Sequence, residues 1–223
     1  MHDGPLVHPP HVARPLRLRP FRGLTLDASR IGAPASVRAF TRPYDQVADR
    51  LESWARRGQL RHDQEAAVYL HEYTIGGVTV RGLVGALDIS RVAQDRVDAA
   101  VIPHEGIHPR QVEDLAARMS QMRVNPAPIL LVHRGPETVR RLLDGLQALA
   151  PDREFTDRGG QHHRVWAIRE PDSLALIERE LAGRQALIAD GHHRYAAYLQ
   201  LRSSEPGPAT EAGLAMLVDQ DAS

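Results

Sequence analysis

The sequence predicts a mixed α/β fold in an α+β arrangement, and three patterns of apolar residues point to it. Two strand-like runs, residues 66–75 and 78–89, flank Gly76-Gly77, a pair typical of a two-residue hairpin turn. Beyond residue 100, short apolar runs alternate with stretches whose apolar residues recur at helical spacing. Alternation of this kind is typical of helices packed on a sheet. We therefore expect a hairpin in the first half and alternating strands and helices in the second.

The composition limits the functions that this chain can serve. Its 28 basic and 28 acidic residues give a net charge of zero, which argues against a protein built mainly to bind nucleic acid. It contains no cysteine, so disulfides, thiol catalysis and cysteine-ligated zinc are excluded. No apolar run reaches the roughly 20 residues that cross a bilayer, and the first 20 residues lack the apolar segment of a secretory signal. We expect a cytoplasmic protein with no membrane partner.

The first half of the chain divides by composition and periodicity. A core-facing stripe at helical spacing, Val47, Leu51 and Trp54, predicts a helix that begins near residue 43 and ends at Gly58. The expected regions are a flexible tail at 1–15, an α+β region at 16–95 and a second region at 96–223. Smaller expected elements are a strand at 16–19, a turn-rich stretch at 27–43 and a charged connector at 90–100.

Proline marks the helix starts of the second half. Pro109, Pro136 and Pro171 each open an amphipathic stretch, which is where proline is favoured in a helix. The predicted helices cover residues 109–122, 136–149, 171–183 and 192 onward. The predicted strands cover residues 128–132, 165–168, 186–189 and 215–218, with a loop at 150–161.

The most informative stretch is a strand, a glycine turn and a helix start at residues 186–199. Asp190-Gly191 breaks the apolar strand, and His192, His193 and Arg194 fall in the first turn of the helix. A helix start offers unpaired amides and the positive end of the helix dipole, and glycine lets a ligand approach the backbone closely. The pattern therefore indicates a phosphate site. It is equally typical of an ordinary turn in which Asp190 caps the helix.

The run Gly191-His192-His193-Arg194 resembles the G-x-x-R box of the ParB and sulfiredoxin superfamily, which includes archaeal free serine kinases. The longer Ala-Asp-Gly-His-His-Arg-Tyr run resembles that of an uncharacterised bacterial SpoOJ/ParB-like family, domain of unknown function one thousand and fifteen. The order of parts is also similar, since a Pro103-His104-Glu105 loop, a helix and a Pro-Ile strand at 128–132 precede the box. The resemblance implies a ParB/sulfiredoxin-like domain with an insertion at about 134–184.

The resemblance also implies an activity, a nucleotide-dependent phosphotransferase acting on a small hydroxyl compound such as free serine. In the kinases of this superfamily the glycine box binds nucleotide phosphates, so Gly191, His192, His193 and Arg194 are the implied phosphate ligands. Glu105 is the implied base toward the hydroxyl, and Asp190 the implied Mg²⁺ ligand. The expected catalytic residues are Glu105, Asp190 and His192, and the expected cofactor is ATP or ADP with Mg²⁺.

Other interpretations of these residues stay open. ParB proteins bind CTP without phosphoryl transfer, so the runner-up is a nucleotide-binding regulatory module. Glu105 is also placed to complement a helix dipole. His104 and His163 are candidates for walls of the same cleft, with exposed loop as the alternative for His163. A metal centre is a third class, and its candidate ligands are His104, Glu105, His162, His163, Asp190, His192 and His193.

Overall fold

The computed structural model describes residues 5–27, 40 and 42–222. Among these residues it contains five α-helices and a ten-stranded mixed sheet, so the predicted mixed α/β fold is confirmed. Most of the turn-rich stretch predicted at 27–43 lies outside the described residues. No helix in the described ranges combines the length and the apolar character that a membrane crossing requires.

The helices are α1 (Val47–Arg56), α2 (Pro109–Met122), α3 (Glu137–Gln147), α4 (Pro171–Leu181) and α5 (His192–Ser204). The strands are β1 (Val12–Ala13), β2 (Leu18–Arg19), β3 (Leu24–Leu26), β4 (Leu60–His62), β5 (Val68–Ile75), β6 (Val78–Asp88), β7 (Ala99–Ile102), β8 (Ile129–His133), β9 (Arg153–Thr156), β10 (His162–Ile168), β11 (Ala186–Asp190) and β12 (Ala212–Asp219).

The large sheet has the strand order β1-β7-β11-β8-β12-β6-β5-β10-β9, and β2 also pairs with β6. The β7–β11 and β8–β12 pairs are parallel, and the other pairs of this sheet are antiparallel. β3 and β4 form a separate two-stranded sheet. The predicted hairpin is confirmed, because β5 and β6 pair around Gly76 and Gly77, both of which have positive φ. Strands from both halves of the chain therefore share one sheet.

Most residues of the predicted helical stripes are buried or half-buried, although Leu149, at the end of the helix predicted at 136–149, is exposed and lies beyond α3. Val47, Leu51 and Trp54 of α1 form a small apolar cluster with Leu60 and Met122. The larger cluster joins the sheet to α2, α3, α4 and α5, and the residues at its centre include Leu70, Leu83, Ile129, Leu131, Ile177, Leu181, Ile188 and Leu217. Removing these side chains from water supplies the main driving force for the fold, at about 25 cal/mol per Å² of apolar surface.

Three sequence expectations need correction. Val12 and Ala13 fall in the predicted tail, yet both are buried and pair with β7. The predicted loop at 150–161 contains β9, which pairs with β10. The connector predicted at 90–100 runs into β7, which begins at Ala99. In each case pairing with a neighbouring strand holds the backbone extended. The residues of the segment itself therefore give little indication of strand structure.

Candidate functional site

The glycine turn joins β11 to α5, as its sequence predicts. Gly191 is the N-cap residue of α5 and has φ 92° and ψ 30°, in the left-handed region that favours glycine. The first helical hydrogen bond runs from the amide of Tyr195 to the carbonyl of Gly191, at 2.9 Å. The amides of His192, His193 and Arg194 precede that bond, and Gly191 has no side chain to cap them. The turn therefore presents a row of amide donors at the positive end of the helix dipole.

Arg194 lies across this turn. Its guanidinium donates to the carbonyl of Pro128 at 2.8 Å and to Oδ2 of Asp190 at 2.5 Å. A Cβ atom at Gly191 would lie 3.0 Å from Nε of Arg194 and 3.0 Å from Cγ2 of Ile129. Glycine is therefore needed here twice, for its backbone angles and for the space that the guanidinium occupies.

His192 joins the turn to the loop that precedes α2. Its ring is buried, and its Nε2 accepts the backbone N–H of His104 at 3.4 Å. Because Nε2 accepts, the ring proton resides on Nδ1, which lies 3.3 Å from Oε2 of Glu105. Burial lowers the pKa of His192, and the attraction of Glu105 only partly offsets this effect. A neutral imidazole thus lies beside the Glu105 carboxylate.

His193 makes a second link to the same loop. Its Nε2 accepts the backbone N–H of His108 at 3.1 Å, and the two rings stack with centroids 6.0 Å apart. His104 packs edge-on against His192, and its Nε2 lies 3.8 Å from Oε1 of Glu105. The histidine doublet therefore holds the Glu105 loop against the start of α5. This positioning role was not anticipated, although a histidine pair together with a proline-bounded loop was a signal for it.

The Gly191 turn and Glu105 line one open pocket of about 430 Å³, and His104, predicted as a cleft wall, lies behind Glu105 and His192 without lining it. Its walls are Glu105, Leu115, Ala189 and residues 190–194. The side chains of Glu105 and Asp190 are 64% and 71% exposed, so both carboxylates are accessible from solvent. The pocket thus combines helix-start amides, one guanidinium and two carboxylates. The amides and the guanidinium suit a phosphate group, and the carboxylates suit a divalent cation bound with it.

His163 is not a wall of this pocket, so that expectation was wrong. His163 lies on β10, and four strands of the sheet separate β10 from β11. Because neighbouring strands lie about 4.8 Å apart, this separation puts His163 more than 20 Å from β11. His162 pairs with Glu154 on the same distant hairpin.

The seven candidate metal ligands are consequently not assembled. Among the described residues, no group of three or more histidine, cysteine, aspartate or glutamate side chains is placed to hold a metal ion. Asp190 is held by Arg194 and faces the pocket. It suits Mg²⁺ only when phosphate oxygens supply further ligands, which is the usual arrangement for this ion.

Comparison with known proteins gave one match. A family model described as a protein of unknown function, DUF1015, matches residues 12–223. No curated protein matched the chain. No solved structure matched it either.

Proposed function

Because the chain belongs to the DUF1015 family, whose function is unknown, we propose a function from the site itself. The proposed function is nucleotide-dependent transfer of a phosphoryl group to a small hydroxyl compound, with a serine-like substrate as the first candidate. The observation that supports it is the joining of the Gly191 turn to Glu105 in one pocket. An anion site and a general base then face the same space.

In this proposal the start of α5 binds the phosphate groups of the nucleotide. The amides of residues 192–194 and the guanidinium of Arg194 offer charge-assisted and dipolar hydrogen bonds to phosphate oxygens. Asp190 and Glu105 would repel a bare nucleotide, so the proposal includes Mg²⁺ with ATP or ADP. When bound, Mg²⁺-nucleotide supplies the phosphoryl group and a divalent charge that offsets these carboxylates.

Glu105 is the proposed general base. Its carboxylate is exposed toward the pocket, and its Oε2 lies 3.3 Å from Nδ1 of His192. This contact leaves Oε1 available to accept a proton from a substrate hydroxyl. His192 is therefore proposed as a positioning residue, because its Nε2 accepts the backbone N–H of His104 and its Nδ1 lies beside Glu105. This assignment replaces the phosphate-binding role that the resemblance implied for its ring.

The proposal includes a distant relationship to the ParB and sulfiredoxin superfamily. The order of the Glu105 loop, α2, β8, β11, the glycine turn and α5 supports this placement. A nucleotide-binding regulatory module is the second candidate. It relies on the same phosphate ligands, the amides at the start of α5 and the Arg194 guanidinium, and requires no general base.

The first experiment measures melting temperature with Mg²⁺ and ATP, ADP or CTP. A ligand at 100 times its Kd stabilises a protein by about 2.7 kcal/mol, which is readily seen as a melting shift. We expect the shift in the wild type and in Arg141→Ala, and its loss in Arg194→Ala. Arg141 is a matched control because it is an exposed arginine on α3 that pairs with Glu137.

The second experiment separates the two candidate functions. In Glu105→Gln we expect the nucleotide shift to remain and phosphoryl transfer to serine-like alcohols to be lost. A wild-type protein that shows the shift but transfers no phosphoryl group to any hydroxyl compound supports the regulator. A wild-type protein that shows no shift with any nucleotide overturns both candidates.

A further inference from the structure

A second group of histidines lies on the β5–β10–β9 part of the sheet, on the far side from the Gly191 turn. Nε2 of His71 and Nδ1 of His163 are 3.0 Å apart, and the two rings stack with centroids separated by 5.3 Å. Phe155 stacks on His163 at 4.8 Å, and Tyr73 packs against both histidines. The aromatic neighbours hold the two imidazoles with their nitrogens facing each other.

The proton positions follow from the surroundings of His163. Its Nε2 lies 3.5 Å from Oδ2 of Asp157, and its side chain is only 11% exposed. Asp157 is itself fixed, because its Oδ1 accepts the backbone N–H of Gln161 at 2.9 Å. We place the ring proton of His163 on Nε2, on the side of this carboxylate, so that Nδ1 accepts the hydrogen bond from Nε2 of His71.

His71 is suited to the same role. Its Nε2 faces Nδ1 of His163 at a distance of 3.0 Å. A neutral imidazole binds metal through either nitrogen once its proton occupies the other one. When the proton of His71 moves from Nε2 to Nδ1, the hydrogen bond between the two rings is lost and both facing nitrogens carry lone pairs.

From this geometry we propose that His71 and His163 form a binding site for a zinc-class divalent cation, with Asp157 as the carboxylate that orients His163. Two imidazole nitrogens bound at about 2.0–2.1 Å in a tetrahedral site are separated by roughly 3.3 Å. The observed 3.0 Å between the two ring nitrogens is within a small ring movement of that value. A carboxylate behind a metal-bound histidine is the usual outer partner.

The site is an open one. Among the described residues no third histidine, cysteine or carboxylate joins the pair, so water or a small ligand completes the coordination. Zinc, copper and nickel suit imidazole ligands, whereas Mg²⁺ and Ca²⁺ prefer oxygen. We therefore expect reversible binding, weaker than at a closed four-ligand structural site. This proposal is independent of the nucleotide proposal, since the two sites share no residue.

The test is calorimetric titration of the metal-stripped protein with zinc chloride. We expect one zinc ion per chain in the wild type, at least a tenfold loss of affinity in His71→Gln and in His163→Gln, and a 10- to 100-fold loss in Asp157→Asn. The control is His162→Gln, because His162 neighbours His163 on β10 but pairs with Glu154 instead. We expect the affinity of this control to match that of the wild type.

A second measurement needs no substitution. In ¹⁵N NMR of the wild type, zinc should shift Nε2 of His71 and Nδ1 of His163 and leave His162 unchanged. The proposal is overturned if the wild type binds no zinc, or if these two nitrogens stay unshifted while zinc binds near the Gly191 turn. Equal zinc affinities in His71→Gln, His163→Gln and the wild type also overturn it, provided that all three proteins melt cooperatively.

Discussion

Replacing Gly191 with alanine tests the local structure of the candidate site most directly. The residue has φ 92°, which costs a residue with a Cβ of the order of 1–3 kcal/mol. The new Cβ would also stand 3.0 Å from Nε of Arg194 and from Cγ2 of the fully buried Ile129. Arg194 must then move from its hydrogen bond to the carbonyl of Pro128. We expect Gly191→Ala to lower the free energy of unfolding by about 2–3 kcal/mol.

The assay is equilibrium unfolding in urea, with Gly145→Ala as the matched control. Gly145 lies inside α3, and nothing stands within 4 Å of the position that its Cβ would take. Alanine is the better helix former by about 1 kcal/mol, so this control should be stabilised. The two variants make the same chemical change with opposite expected signs. A Gly191→Ala protein within 0.5 kcal/mol of the wild type would refute the argument, as would a loss in Gly145→Ala.

Substitutions of His133 and Tyr69 test two buried polar groups, and Tyr198 provides a comparison. Burial lowers the pKa of His133 to about 4, so the wild type loses stability as the pH falls from 6.5 to 4, at about 1.4 kcal/mol per unit. In His133→Leu, urea titrations over this range should show a loss smaller by about 3 kcal/mol; an unchanged slope contradicts this. The Tyr69 hydroxyl accepts from the amide of Gly23 at 2.9 Å and donates to Asp63 at 2.6 Å. Tyr69→Phe should therefore lower the free energy of unfolding by about 1–3 kcal/mol. The hydrogen bond from the Tyr198 hydroxyl is longer, at 3.5 Å, so Tyr198→Phe should lower it by less than about 1 kcal/mol. Equal losses in the two variants would contradict this expectation.

The local geometry of the site was predictable from the sequence, and its long-range contacts were not. The Asp190-Gly191 pair between an apolar run and a helical stripe predicted the turn, and the structure has the glycine at positive φ. The links from His192 and His193 to the loop span 88 and 85 residues of chain. The spacing of apolar residues along the chain gives no information about such long-range contacts. The doublet was therefore interpreted by its chemistry alone, as phosphate ligands.

The placement of His163 shows the same limit. His162-His163-Arg164 repeats the composition of the doublet at 192–194, but it lies in a strand, where neighbouring side chains point to opposite faces. His163 therefore faces His71, and Arg164 faces the buried Glu72. Composition alone could not separate these two doublets, because the difference comes from the backbone. β1 and β9 were missed for a related reason, since both are held by pairing with a neighbouring strand.

The position of β12 bears on how the chain folds as it leaves the ribosome. β12 follows the other strands of the described residues in chain order, yet it lies between β8 and β6 near the middle of the sheet. Until residues 212–219 have been synthesised, the nascent chain holds two partial sheets, each with an open edge facing the gap. Open strand edges pair readily with other chains. Before β12 is in place these two edges are open to other chains, and insertion of β12 between β8 and β6 covers both.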